Sequence, residues 1–286
     1  MKKIALIVDS SSGVKNGQYP NVYVLPLMIT EQQGGNIVSY HDGVDITVNE
    51  LSEKLEKGAD IKTSQANVGE MYNLVERLQK EYEQIFILPI PSTISGNYNS
   101  WVAIASEFKN VKVFSQGMIG RILEWAVIDI VAMMSDNSLN EQTLQTYLDS
   151  IRYKRVGYMI VPDIKQLVKG GRVSNFKSFL IKVLNIKLLI TLNEKGLSFF
   201  DKANNYKDGV MKIHQAAKER FDVDHAKIKR CVIFCNAKTN PKFKADDIVK
   251  KMKDEFPHLT FETYEWPVVI LAHVGPNAVA IAFDPE

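Results

Sequence analysis

Short, unbroken apolar runs that stop at hydroxyl-rich loops constrain this chain more than any other feature. Residues 4–8 (IALIV) run straight into Asp9-Ser10-Ser11-Ser12-Gly13, and residues 85–90 (IFILPI) run into Pro91-Ser92-Thr93-Ile94-Ser95-Gly96. A strand that is apolar at every position is buried on both faces, as in a parallel sheet flanked by helices. Amphipathic helical patterns fall between such runs. One opens at Thr47, with Glu50 in the capping-box position, and should close near Gly58; a second opens at Asn67, with Glu70 at the same spacing, and runs to about residue 82. Helices are also expected over 97–108 and ending near residue 134, and strands at 22–29, 37–40 and 111–114.

After a helix at 140–152 the rhythm changes. The chain then reads as a strand at 156–161 closed by Pro162, a short helix, a break at Gly170-Gly171 and an amphipathic segment over 174–184. A hairpin of 186–192 with 197–201 follows, then helices near 207–221 and 244–256, and strands at 228–235, 260–265, 268–273 and 278–283. The expected fold class is therefore α/β. An N-terminal α/β domain with a mostly parallel sheet should span 1–150, and a C-terminal α+β domain with an antiparallel sheet 151–286.

Charge narrows the function classes. The 286 residues carry 35 basic and 33 acidic side chains, a net +2, which makes no electrostatic case for nucleic acid or a membrane surface as partner. The N-terminal apolar stretch is too short for a signal-peptide core, and no run approaches the roughly 20 apolar residues of a membrane span. A cytoplasmic protein without integral membrane association is expected. Cys231 and Cys235 sit four residues apart in a strand-like run, about 13 Å if extended, too far for a disulfide.

Most signatures of chemistry are missing. There is no phosphate-binding loop, Gly-x-Gly-x-x-Gly, His-Glu-x-x-His or Gly-x-Ser-x-Gly, and the five histidines show no ligand spacing. No catalytic residue, metal or cofactor is expected. What the chain does carry is three hydroxyl clusters: Asp9-Ser10-Ser11-Ser12, Thr63-Ser64-Gln65 and Ser92-Thr93-x-Ser95-Gly96. Ligands of α/β sheets bind beyond the carboxyl ends of strands. Each hydroxyl both donates and accepts, so several together hold a carboxylate or phosphate oxygen without a formal charge. The same residue types also cap helices and form turns, and the clusters alone leave both readings open. Arg172, after Gly170-Gly171, suits either an anion or a helix end. His273, between two apolar runs, suits either a ligand or a hydrogen-bonded core position.

Taken in order, Ile7-Val8-Asp9-Ser10-Ser11, Asp42-Gly43-Val44-Asp45-Ile46, Thr63-Ser64-Gln65, Ser92-x-x-Ser95-Gly96, Gly170-Gly171-Arg172-Val173-Ser174, Leu184-Asn185-Ile186-Lys187 and His273-x-Gly275-Pro276 resemble the DegV family signature. The resemblance implies two α/β domains and one long-chain fatty acid bound in an apolar tunnel. It implies that Thr63 and Ser95 meet the carboxyl, with Ser92, Arg172 and His273 near the head group; Ser10 and Ser64 are candidates as members of their clusters. It also implies a carrier rather than an enzyme, one that hands the acid to a separate ATP-dependent fatty acid kinase subunit to become an acyl phosphate. Two other readings stand beside it: an acyl hydrolase or transferase using the hydroxyl clusters with His273 as base, and an adaptor with no ligand. The sequence departs from the family pattern at residues 115–120, at Ala203-Asn204-Asn205, where a basic segment is usual, and at Pro276-Asn277.

Overall fold

The computed structural model describes residues 3–152, 154–163, 165–171, 186–193, 196–236 and 245–286. Two compact units emerge, from the described residues of Met1–Thr47, Ile61–Arg152 and Pro267–Val269, and of Val48–Asp60, Tyr153–Trp266 and Ile270–Glu286. The expected amphipathic segment 174–184 and Arg172 lie outside the described residues.

The first unit holds a four-stranded, all-parallel sheet in the order β2 (Val22–Leu25), β1 (Ile4–Asp9), β6 (Gln84–Leu88), β7 (Val111–Val113). All six residues of β1 are buried, as its unbroken apolar run requires of an inner strand. Trp101, Trp125 and Phe86 fill the core around it, carried by α3 (Asn97–Ala105), α4 (Arg121–Ser135) and β6. A smaller sheet runs β4 (Asn36–His41), β3 (Met28–Gln33), β5 (Asp60–Ser64). Gly34 and Gly35 close the β3–β4 hairpin with φ of 53° and 92°, the pair of positive values that a two-residue turn matched to strand twist demands. Asn67 caps α2 (Val68–Leu78) as its sequence position predicts, accepting from the N–H groups of Gly69 and Glu70.

Two expectations for this unit change. Residues 22–29 are not one strand. Pro26 has no N–H for a ladder, so the chain leaves the parallel sheet at Leu25 and enters the hairpin sheet at Met28. Between them the Leu27 N–H turns to Ser10 Oγ at 2.9 Å. The strand β5 had no clear signature because Ile61 is its only buried residue.

The second unit is built on a six-stranded sheet: β10 (Gly196–Ala203), β9 (Lys187–Asn193), β8 (Val156–Val161), β13 (Val279–Pro285), β11 (Ile228–Phe234), β12 (Glu262–Tyr264). It is antiparallel except for the β11–β12 pair. Tyr158, Ile160, Ile233, Ile281 and Phe283 from the sheet pack with Ile213 of α7 (Tyr206–Phe221) and Met252 of α8 (Ala245–Glu255). Helices α1 (Val48–Glu56) and α6 (Lys165–Lys169) belong to this unit, and α5 (Glu141–Arg152) to the first. Cys231 and Cys235 are free and buried, and burial pushes their thiols up to about 12 and about 11.

Residues 268–273, expected as a strand, form the helix α9 (Val268–Val274). A short, wholly apolar run has no periodicity to separate the two states, and its β-branched residues favour the strand. The ends decide it. Asp42 Oδ1 accepts the Val269 N–H at 3.0 Å at one end, and at the other Gly275, at φ 81°, gives its N–H to Leu271 O at 2.8 Å.

Candidate functional site

The carboxyl end of β1 is organised by one fully buried carboxylate, Asp9. After it the chain turns through Ser10–Ser12 as a single 3-10 turn, closed by Gly13 at φ 77°. Asp9 Oδ1 accepts from the Ser11 N–H (3.1 Å) and Ser11 Oγ (2.5 Å); Oδ2 accepts from the Ile90 N–H (2.6 Å) and Asn97 Nδ2 (2.9 Å). Burial pushes the Asp9 carboxyl above its ordinary pKa, and these four donors pull against that shift.

Asn97 is the second hub. Its Oδ1 accepts the Ala66 N–H at 3.2 Å, and its own N–H goes to Ser95 Oγ at 3.2 Å. One turn along α3, Ser100 Oγ donates to Gln65 Oε1 at 2.7 Å. The backbone of Gly96 comes close enough that an added Cβ would lie 3.9 Å from the same Gln65 oxygen. All three hydroxyl segments, 9–12, 63–66 and 92–97, are thereby tied together beyond the carboxyl ends of β1 and β6.

The candidate residues differ in exposure. Thr63 and Ser95 are half-buried, while Ser64 and Ser92 are exposed. Ser10 Oγ is engaged by the Leu27 N–H and by the Asp42 carboxyl. Ser12 Oγ donates to Asp9 O and accepts from the Val14 N–H, so it holds its own turn. Sequence reasoning missed Asn97 as anything but a helix start. The available signal was Asp9 itself: a carboxylate that ends a wholly buried strand must find donors, and an amide side chain is a suitable one.

Asp42, at the start of its Asp-Gly motif, is also buried, and burial pushes its carboxyl up to about 7. The Ser10 hydroxyl and the Val269 N–H lower it, and the neighbouring Asp9 charge raises it. Beside it, His41 is held above its ordinary value by Asp45 and Glu70, with ring nitrogens 2.6 Å and 3.2 Å from their oxygens. Among the described residues no group of three or more His, Cys, Asp or Glu side chains is arranged for a metal ion, and no helix is long and apolar enough to cross a membrane.

In the second unit two motif segments meet. His273, half-buried on α9, packs on Gly170 so closely that a Cβ there would lie 2.5 Å from Nδ1 and 2.8 Å from Cε1. Gly170→Ala is therefore expected to expel the His273 ring from this position, at a cost of about 1–3 kcal/mol in stability. Histidine ring resonances in a two-dimensional NMR spectrum report the displacement; an unchanged His273 signal would show that the contact yields elsewhere. The departure at Ala203-Asn204-Asn205 has a local purpose: Asn205 caps α7 by accepting the Asp208 N–H at 3.0 Å.

Known proteins share this fold. DegV of Bacillus subtilis, described as a fatty acid binding protein, superposes with a TM-score of 0.84 at 21% identity over 100% of both chains. A protein from Eubacterium ventriosum described as binding stearic acid superposes with a TM-score of 0.80 at 18% identity, over 99% of this chain and 98% of that one. At these identities the fold is what is shared. The DegV domain-containing protein MG450 of Mycoplasma genitalium is 30% identical over 99% of this chain and 100% of its own length. The family model described as "Uncharacterised protein, DegV family" matches residues 3–286. With all three described sheets and every segment of the serine, threonine and glycine signature inside that span, the chain belongs to the DegV family.

Proposed function

We propose that this protein binds one long-chain fatty acid in an apolar tunnel, with the carboxyl held by Thr63 and Ser95. It acts in the cytoplasm as a carrier, presenting the acid to a separate ATP-dependent kinase for acyl phosphate formation. The observation that carries the reading is the convergence of the Thr63 and Ser95 segments on Asn97. The fatty acids named for similar structures give the ligand class.

The energetics suit such a ligand. Each buried methylene contributes about 0.8 kcal/mol, so some 14 of them give about 11 kcal/mol before association costs. A carboxylate left without donors in a dry site would cost several kcal/mol, which hydroxyl donors offset. Holding the acid by neutral donors leaves its oxygen open to a phosphoryl group. The chain has no phosphate-binding loop, so ATP must come with a partner.

Native mass spectrometry of the purified protein should reveal a bound mass of about 250–290 Da, the range of C16–C18 acids that such a buried chain length implies. Thr63→Ala and Ser95→Ala should each weaken palmitate binding about 10- to 100-fold, the loss of one hydrogen bond to a charged group. Acyl phosphate should form only when a fatty acid kinase and ATP are added. Protein that never takes up an acid, or variants that bind it as tightly as the parent, would end this reading.

A further inference from the structure

Asn97 touches both segments that carry the head-group hydroxyls. Its backbone N–H donates to Ser95 Oγ and its side-chain oxygen accepts from the Ala66 N–H, three residues after Thr63. With a lone pair of Ser95 taken by that N–H, the hydroxyl proton is left to point elsewhere, as a donor toward a ligand oxygen. One buried residue thus spans the gap across which two hydroxyls would have to meet one carboxyl.

An asparagine by itself does not fix which end of its amide faces which neighbour. Asp9 supplies the asymmetry. Its carboxylate only accepts, and Oδ2 lies 2.9 Å from Asn97 Nδ2, so the NH2 group must face Asp9 and the oxygen must face Ala66. Replacing Asp9 by Asn removes the constraint, because an amide facing four donors must set its own NH2 against at least one of them. If Asn97 turns its oxygen to that new NH2, its own NH2 confronts the Ala66 N–H, and two donors stand where one hydrogen bond held the 63–66 segment.

We infer that Asn97, oriented by the buried Asp9 carboxylate, is the positioning residue that sets the separation of Thr63 and Ser95, and through it the preference for an acid head group over a neutral one. This rests on the reading that those two hydroxyls hold the carboxyl. Neither Asp9 nor Asn97 touches the ligand; they act through the loops they hold.

The test compares palmitic acid with 1-hexadecanol, ligands of one chain length that differ at the head. Dissociation constants are measured by displacement of a fluorescent fatty acid from the intact protein, from Asn97→Ala and from Asp9→Asn, alongside thermal unfolding of each. The unsubstituted protein should prefer the acid. Both variants should lose about tenfold of that preference, the scale of one hydrogen bond, while their affinity for the alcohol changes less than about threefold. A residue that merely supports the fold would weaken both ligands in parallel and leave the ratio intact, and that result overturns the inference. If Asp9→Asn does not fold, Asn97→Ala decides alone, because it leaves three of the four donors to Asp9 in place. If the unsubstituted protein itself shows no preference for the acid, the head-group reading falls first and the positioning role falls with it.

Discussion

Asp284→Ala is expected to destabilise the protein by about 3–5 kcal/mol, lowering its unfolding temperature by about 10 °C. Asp284 lies on β13, an inner strand, and is buried between two arginines. Arg155 Nε donates to Oδ1 at 2.8 Å; Arg230, its cross-strand neighbour on β11, donates to Oδ2 from Nε at 2.8 Å and from Nη2 at 2.7 Å. The Arg155 side chain is 2% exposed. Without the carboxylate its guanidinium would keep its charge in a place that water does not reach, because arginine does not deprotonate. Most of the loss comes from that stranded charge rather than from the attraction removed. Asp284→Leu combined with Arg155→Met should therefore recover much of it, since replacing a buried pair by apolar groups is often close to neutral. Urea unfolding of the three proteins measures both effects. A loss below about 1 kcal/mol, the usual worth of an exposed pair, would mean that water reaches the cluster after all.

Asp42→Asn should act in the opposite direction and only above acid pH. The Asp42 carboxyl is pushed up to about 7 by burial, well above its value in an unfolded chain. The sign follows from proton counting. Between about pH 4 and 7 the folded state holds a proton on Asp42 that the unfolded state has released, so stability falls as pH rises through that window and the full cost stands above it. At about 1.4 kcal/mol for each tenfold change in proton affinity, the cost reaches roughly 4 kcal/mol as an upper bound. Asparagine keeps an acceptor for the Val269 N–H and carries no charge to desolvate. The variant is expected to be about 2–4 kcal/mol more stable than the parent at pH 8, with the gap closing toward pH 4. Asp9 is displaced in the same direction and its charge acts on Asp42, so the difference between the two proteins reports Asp42 together with its coupling to Asp9. A difference that stays flat from pH 4 to pH 8 would refute the assignment.

Buried carboxylates also show where reading the chain as a string runs out. Asp9 and Asp42 stood in recognisable motifs, and Asp284 closed a strand, yet nothing local marked the groups they would meet. Ile90 and Asn97 lie 81 and 88 residues from Asp9, and Val269 lies 227 from Asp42. Donors at that separation are matched by the packing of whole elements.

The sequence by itself determined the elements whose signal is local and redundant. Unbroken apolar runs made β1 and β6 inner strands of a parallel sheet, Asn67 with its spacing to Glu70 opened α2, and the hydroxyl clusters sat where strands end. Tertiary structure decided what local signals leave degenerate. It split residues 22–29 between two sheets at a proline and recruited the weakly patterned β5. It also turned the apolar run at 268–274 into a helix by giving its first turn a carboxylate from elsewhere in the chain. The reason is physical: periodicity reports which face of an element is buried, whereas the partner of a buried polar group is fixed only when the chain closes on itself and every such group must be satisfied.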